Sequence, residues 1–143
     1  MLITEPGSAV VADTLKFVTR VIDIKNVRGK FIATTAGSKF NMGSFSSTIN
    51  MPMQVFTNNE SKDIYSTIDV AGFTCIESDY LFKDYKGKIN KGDFLVFENV
   101  GSYSIVFKPP FILPNVPIIN ISGNNEVIKR QETFEDIFAT YKF

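Results

Sequence analysis

The chain has 143 residues, the size of one ordinary domain with a buried core. Fifteen Lys and Arg balance fifteen Asp and Glu, which argues against nucleic acid or an acidic membrane as the main partner. One Cys and no His exclude an internal disulfide, the Ser-His-Asp and Cys-His triads, and a tetrahedral N/S zinc shell.

Fourteen Phe, five Tyr and many Ile and Val lean the composition towards strands. In chain order, Glu5-Pro6-Gly7 reads as a turn, and residues 8–13 as a short helical turn with Gly7 or Ser8 near its start. Residues 14–25 read as a long strand, apolar on both faces and so expected to be buried. Asn26-Val27-Arg28-Gly29 is a hairpin connection into a second strand, 30–35. Residues 36–50, rich in Gly, Ser and Asn, read as loop. Strands are expected at 52–57 and 64–72, with a turn at 58–61 between them. Residues 81–92 hold Lys-Gly turns and little periodicity, and 94–97 is a short apolar strand. Four of the six prolines fall in 109–117, an extended loop. Segments 117–122 and 126–130 flank the hairpin signal Gly123-Asn124-Asn125. Only the end reads as helix, with Thr133 as N-cap and Glu135 and Asp136 in the first turn.

The expected fold is therefore all-β, a modified Greek-key barrel or sandwich with a short C-terminal helix, forming a single domain over residues 1–143. No basic leader and no apolar run of about 20 residues is present, so a cytoplasmic location with no membrane partner is expected.

Four short motifs stand out. They are Glu5-Pro6-Gly7; Gly72-Phe73-Thr74-Cys75-Ile76-Glu77-Ser78-Asp79; Gly101-Ser102-Tyr103; and Arg130-Gln131-Glu132-Thr133-Phe134-Glu135-Asp136-Ile137. Singly, each has a bland reading: a turn, a small buried thiol, a core tyrosine, a capped helix. In this order and spacing they resemble the C-terminal domain of the alanine-racemase-like pyridoxal-phosphate decarboxylases, the group of the diaminopimelate and ornithine decarboxylases. The text after EPG, Ala9 to Asp13 and then Val18 to Asp23, is similar too.

The resemblance implies a cofactor, pyridoxal 5'-phosphate, held on a Schiff-base lysine of an N-terminal (β/α)8 barrel. It implies an active site shared with a homodimer partner, and an amino-acid substrate. By the same resemblance Glu5 meets the pyridine nitrogen, Gly7 lets its backbone approach the phosphate, and Tyr103 donates its hydroxyl to it. Cys75 is implied as the proton donor to the decarboxylated carbon of the neighbouring subunit. Glu77 and Asp79 are the acids implied on the substrate side. Two positions depart from the pattern. Ser8 stands where the family has a phosphate-binding Arg, so a charge-assisted bond becomes a neutral one. Ile76 stands where the family has an acid for the distal amine, with Glu77 one residue later and on the opposite face of an extended segment. A barrel needs about 250 residues, so the resemblance makes this chain one part of a larger active site, inactive and without bound cofactor alone. The alternatives are a non-catalytic homologue that associates with a full-length decarboxylase, and a β-barrel module for an apolar ligand. The resemblance also implies an unpaired sheet edge, where the family domain borrows a strand from before the barrel, and an exposed apolar face where the barrel would dock, so self-association is expected.

Overall fold

A computed structural model describes residues 1–43, 49–57 and 64–142; the expected turn at 58–61 lies outside these. The chain is all-β, as its sequence reads, but it forms two compact units, Met1–Phe107 and Lys108–Phe143. The division falls at the start of the proline-rich stretch, where ladder bonds are scarce.

The first unit opens with a one-turn helix α1 (Ser8–Val11), followed by a 3-10 turn at Ala12–Thr14. Six strands follow: β1 (Phe17–Val27), β2 (Lys30–Thr35), β3 (Met53–Phe56), β4 (Ile64–Ala71), β5 (Tyr80–Lys88) and β6 (Phe94–Phe97). Their order in the sheet is β3-β6-β1-β2-β4-β5, and the crossovers make it a modified Greek key. The β1–β2 hairpin closes through Arg28 at φ 51° and Gly29 at φ 86°, the geometry of a tight two-residue turn, with Asn26 Oδ1 accepting from Gly29 N at 2.9 Å. A register shift between Val21 and Asp23 divides β1. Its first half pairs with β6 and its second with β2, so the irregularity turns the sheet.

β1 is not buried on both faces. Phe17, Thr19 and Val21 point inward, while Val18 and Ile22 are exposed at 55% and 43%. The inward set meets Leu95 and Phe97 of β6, both fully buried, and Phe17 stacks on Phe97 at 6.3 Å between ring centroids. Each such side chain contributes about 1.5–3 kcal/mol of burial. β5, read from the sequence as turns, is a nine-residue strand. Its alternation is interrupted by Asp84 at φ 56° and Gly87 at φ 148°, and the β4–β5 register shifts three times.

The second unit holds the hairpin β7 (Ile118–Asn120) and β8 (Glu126–Lys129) and the helix α2 (Phe134–Phe138). Among the described residues no helix is long and apolar enough to cross a membrane.

Candidate functional site

The site begins with strand direction. β2 and β4 are parallel neighbours, so their C-terminal ends lie together and the segments leaving them run side by side. Thr35 Oγ1 donates to Ala71 O at 3.2 Å, closing the two strand ends. Phe73 N then donates to Gly37 O at 3.1 Å. Gly37 must be glycine: a Cβ there would sit 2.6 Å from Phe17 Cζ. The segment after β2 continues into a 3-10 turn, Lys39–Met42, inside the stretch read as loop. Ser38 caps it, accepting from Phe40 N, while Asn41 Oδ1 accepts from Ser38 N at 2.9 Å.

The segment after β4 is the Cys75 motif. Cys75 and Glu77 are exposed, and Ile76 between them is half-buried. Glu77, rather than residue 76, thus shares exposure with the thiol. Asp79 is 3% exposed, and its carboxylate is turned inward. Oδ1 accepts from Ser38 Oγ at 3.0 Å and Lys39 N at 2.9 Å; Oδ2 accepts from Thr74 Oγ1 at 2.6 Å and Thr74 N at 3.1 Å. Gly72 leaves the room: a Cβ at that position would lie 2.1 Å from Asp79 Oδ2. Asp79 was expected on the substrate side. A carboxylate enclosed by four internal donors has its lone pairs occupied between this loop and the segment after β2. Lys39, 7% exposed, donates from Nζ to Ser78 Oγ at 2.8 Å and lies over the Phe40 ring.

The EPG and GxY motifs meet in the same unit. Gly101 N donates to Ala12 O at 2.8 Å, and a Cβ on Gly101 would lie 1.9 Å from Val11 O. Only glycine permits this approach of the two backbones. Val100 N adds a bond to Leu15 O at 3.2 Å. Two residues on, Tyr103 sits at φ 63°, 44% exposed, and its hydroxyl lies 3.6 Å from where a Gly7 Cβ would be. Gly7 stands at the N-cap position of α1, where no side-chain cap bond is made. Glu5 and Ser8 are exposed on the same segment. Gly43, at the end of the 3-10 turn, packs against Ser102 O at 3.3 Å and Ser104 N at 3.4 Å, measured from its ideal Cβ. The segment 38–43 therefore touches the Cys75 loop at one end and the Tyr103 turn at the other. Ser38, Lys39 and Thr74 were missed in the sequence. The weak Ser38-x-x-Asn41 capping pattern was the sole local signal, and nothing local marks a lysine whose partner is 39 residues away.

In the second unit the Arg130–Ile137 motif is occupied with itself. Arg130 reaches Asp136 with both terminal nitrogens, Nη2 at 2.7 Å from Oδ1. Thr133 and Asp136 form a reciprocal cap on α2. The Arg130 guanidinium, with the Thr133 N–H, holds the Asp136 carboxyl far below the usual carboxylate range. Glu132 exchanges bonds with the Asn115 backbone, N to O at 3.0 Å and N to Oε2 at 3.1 Å, and pairs with Lys129 at 2.9 Å. Burial pushes Glu132 up, but the bonds from Lys129 and Asn115 outweigh it and leave its carboxyl below its ordinary value. Apart from Thr133, these groups line an open cavity of about 560 Å³ together with Pro110 and Ile137.

A strand-rich chain carrying these motifs defines a class, the sheet domains of pyridoxal-dependent decarboxylases. The chain belongs to the family described as the pyridoxal-dependent decarboxylase C-terminal sheet domain, whose pattern matches residues 9–101. It is similar to the diaminopimelate decarboxylase of Methanothermobacter thermautotrophicus, 30% identical over 96% of this chain and 32% of that protein. It is also similar to the L-glutamyl-[BtrI acyl-carrier protein] decarboxylase of Niallia circulans, 28% identical over 96% of this chain and 35% of that one. Among solved structures, Helicobacter pylori diaminopimelate decarboxylase complexed with L-lysine superposes with a TM-score of 0.80 at 26% identity, over 94% of this chain and 34% of that one. The chain thus spans about a third of the length of these relatives.

Proposed function

We propose that this chain supplies the sheet-domain part of the active site of a pyridoxal-phosphate-dependent amino-acid decarboxylase, and that it works with an N-terminal barrel domain and a second subunit. The observation that carries this reading is the meeting of Gly7 with the Tyr103 hydroxyl, two residues far apart in sequence that the family motifs assign to one phosphate. The residues fit such a group. Tyr103 and Ser8 offer hydroxyl donors, Gly7 leaves space beside one of them, and Glu5 offers an exposed carboxylate nearby in the chain.

When bound, the cofactor supplies an electron-withdrawing ring that stabilises the charge left by loss of CO2. In this reading Glu5 holds a proton on the ring nitrogen. Tyr103 Oη and Ser8 Oγ donate to phosphate oxygens, and Ser8 does so without the charge of an Arg. Cys75 Sγ gives a proton to the substrate carbon in the partner's site. Ile76 removes the acid that would hold a distal ammonium, and the exposed Glu77 is the nearest acid to replace it. Cytoplasmic metabolism is the setting.

The two roles separate in the enzyme formed when a barrel precedes this chain. Cys75→Ala keeps the cofactor's absorbance and loses turnover by about a hundredfold. Tyr103→Phe weakens cofactor affinity by about tenfold, read by titrating the apoenzyme with pyridoxal phosphate. Unchanged turnover in the first variant and unchanged affinity in the second would together remove the reading.

A further inference from the structure

We propose that Asp79 is a positioning residue, fixing the turn that presents Cys75; the catalytic meaning of that position rests on the reading of Cys75 as a proton donor. The geometry is two-sided. Through Oδ2 the carboxylate holds Thr74, the residue immediately before the thiol, by both its N–H and its hydroxyl. Through Oδ1 it holds Ser38 and Lys39, which belong to the neighbouring strand's exit segment. One buried group thus fastens the near flank of the turn to a segment 40 residues away.

The far flank is fastened separately, by Lys39 Nζ on Ser78 Oγ. Cys75, Ile76 and Glu77 form the apex between these two anchors. All four partners of Asp79 are neutral donors, two N–H groups and two hydroxyls, so the side chain must accept at every position. Only a carboxylate does this. An Asn of the same shape would aim an NH2 at one pair of donors. Gly72 completes the arrangement, because any side chain there would occupy the space of the carboxylate itself.

Cys75 is the sole thiol among these 143 residues, so alkylation of this chain reports on this turn alone. The test compares Asp79→Asn with the unaltered chain by the rate of iodoacetamide alkylation and by the amide NMR signals of residues 73–77. Loss of the near anchor should change the alkylation rate by about threefold or more and double or broaden those signals, while signals of Val18 and Phe94 stay in place. Lys39→Met, which frees the other flank, should move Glu77 and Ser78 more than Thr74. Should Asp79→Asn fail to fold, Ser38→Ala removes one of the four bonds and should give the same pattern at smaller amplitude. A lowered melting temperature with an unchanged alkylation rate and an unmoved Cys75 signal would overturn the proposal, leaving Asp79 a purely structural acid. The assay makes no use of turnover, so the proton-donor reading stands or falls separately, on Cys75→Ala in the barrel-bearing enzyme.

Discussion

The two units treat their motifs in opposite ways. In the second, the residues of Arg130–Ile137 mostly serve one another: Arg130 binds Asp136 six positions on, and Thr133 caps a helix that starts at the next residue. Its one longer tie, Glu132 to Asn115, stays within the same unit. In the first unit the motifs gain meaning only through topology. Asp79 finds Ser38 because β2 and β4 are parallel, and Gly101 finds Ala12 because the end of β6 returns to the start of β1. The lesson is that a motif rich in charges can be a self-contained cap, while one poor in charges can be the joint of a site.

Breaking the long-range joint should have the larger effect. Gly101→Ala would place a Cβ 1.9 Å from Val11 O and 2.4 Å from Thr14 Oγ1, both belonging to a turn that cannot yield without losing the Gly101–Ala12 bond. We expect a loss of about 3 kcal/mol in denaturant unfolding, together with release of the Gly7 segment from Tyr103. Amide signals of residues 7–14 would shift even where the unit stays folded. A variant as stable as the parent, with those signals in place, would mean that the close approach is not what seats the EPG segment.

Breaking the local joint should matter less. Thr133→Ala removes the hydroxyl that accepts from Asp136 N, and the helix it caps has only five residues. The expected cost is about 1 kcal/mol, confined to the second unit. Hydrogen exchange would show it as faster exchange at 134–138 with no change at β1 or β6. Effects spreading into the six-stranded sheet would contradict the self-contained character of the motif.

How far the sequence foretold this depended on whether the cause was local. The β1–β2 turn was legible because its residues carry their own turn geometry, with Gly29 at φ 86°, and the α2 cap because Thr133 and Asp136 are three residues apart. β5 was not legible, since Asp84 and Gly87 interrupt the alternation that marks a strand. β1 was read as buried on both faces because Val18 and Ile22 are apolar, yet both are exposed. At the site, motif order pointed to Cys75, Tyr103 and Gly7, but no periodicity could show that β2 and β4 run parallel. Hence the inward turn of Asp79 and the part played by Ser38 and Lys39 became visible only in three dimensions.

Acid tests the ion pairs of the second unit directly. Asp136 is held by Arg130 first and by the Thr133 N–H second, and its carboxyl lies well below its ordinary value of 3.8. Glu132 lies below its ordinary 4.5, because Lys129 and Asn115 outweigh its burial, and Glu135 does so through its own backbone N–H and Thr133. A carboxylate with a depressed folded value contributes stability that is fully present above its unfolded value and is lost as pH falls through the folded one. The second unit should therefore hold its helix unchanged from neutral pH down to the ordinary carboxylate range and loosen only below it. Glu135 and Asp136 are exposed and Glu132 is only half-buried, so salt screens these charges; the change should be small and should shrink further in high salt. Following the 134–138 amide signals during an acid titration measures it directly. Fraying of α2 that begins above pH 4.5, before any of these carboxylates reaches its ordinary value, would show that the Arg130–Asp136 and Lys129–Glu132 pairs do not hold this unit together.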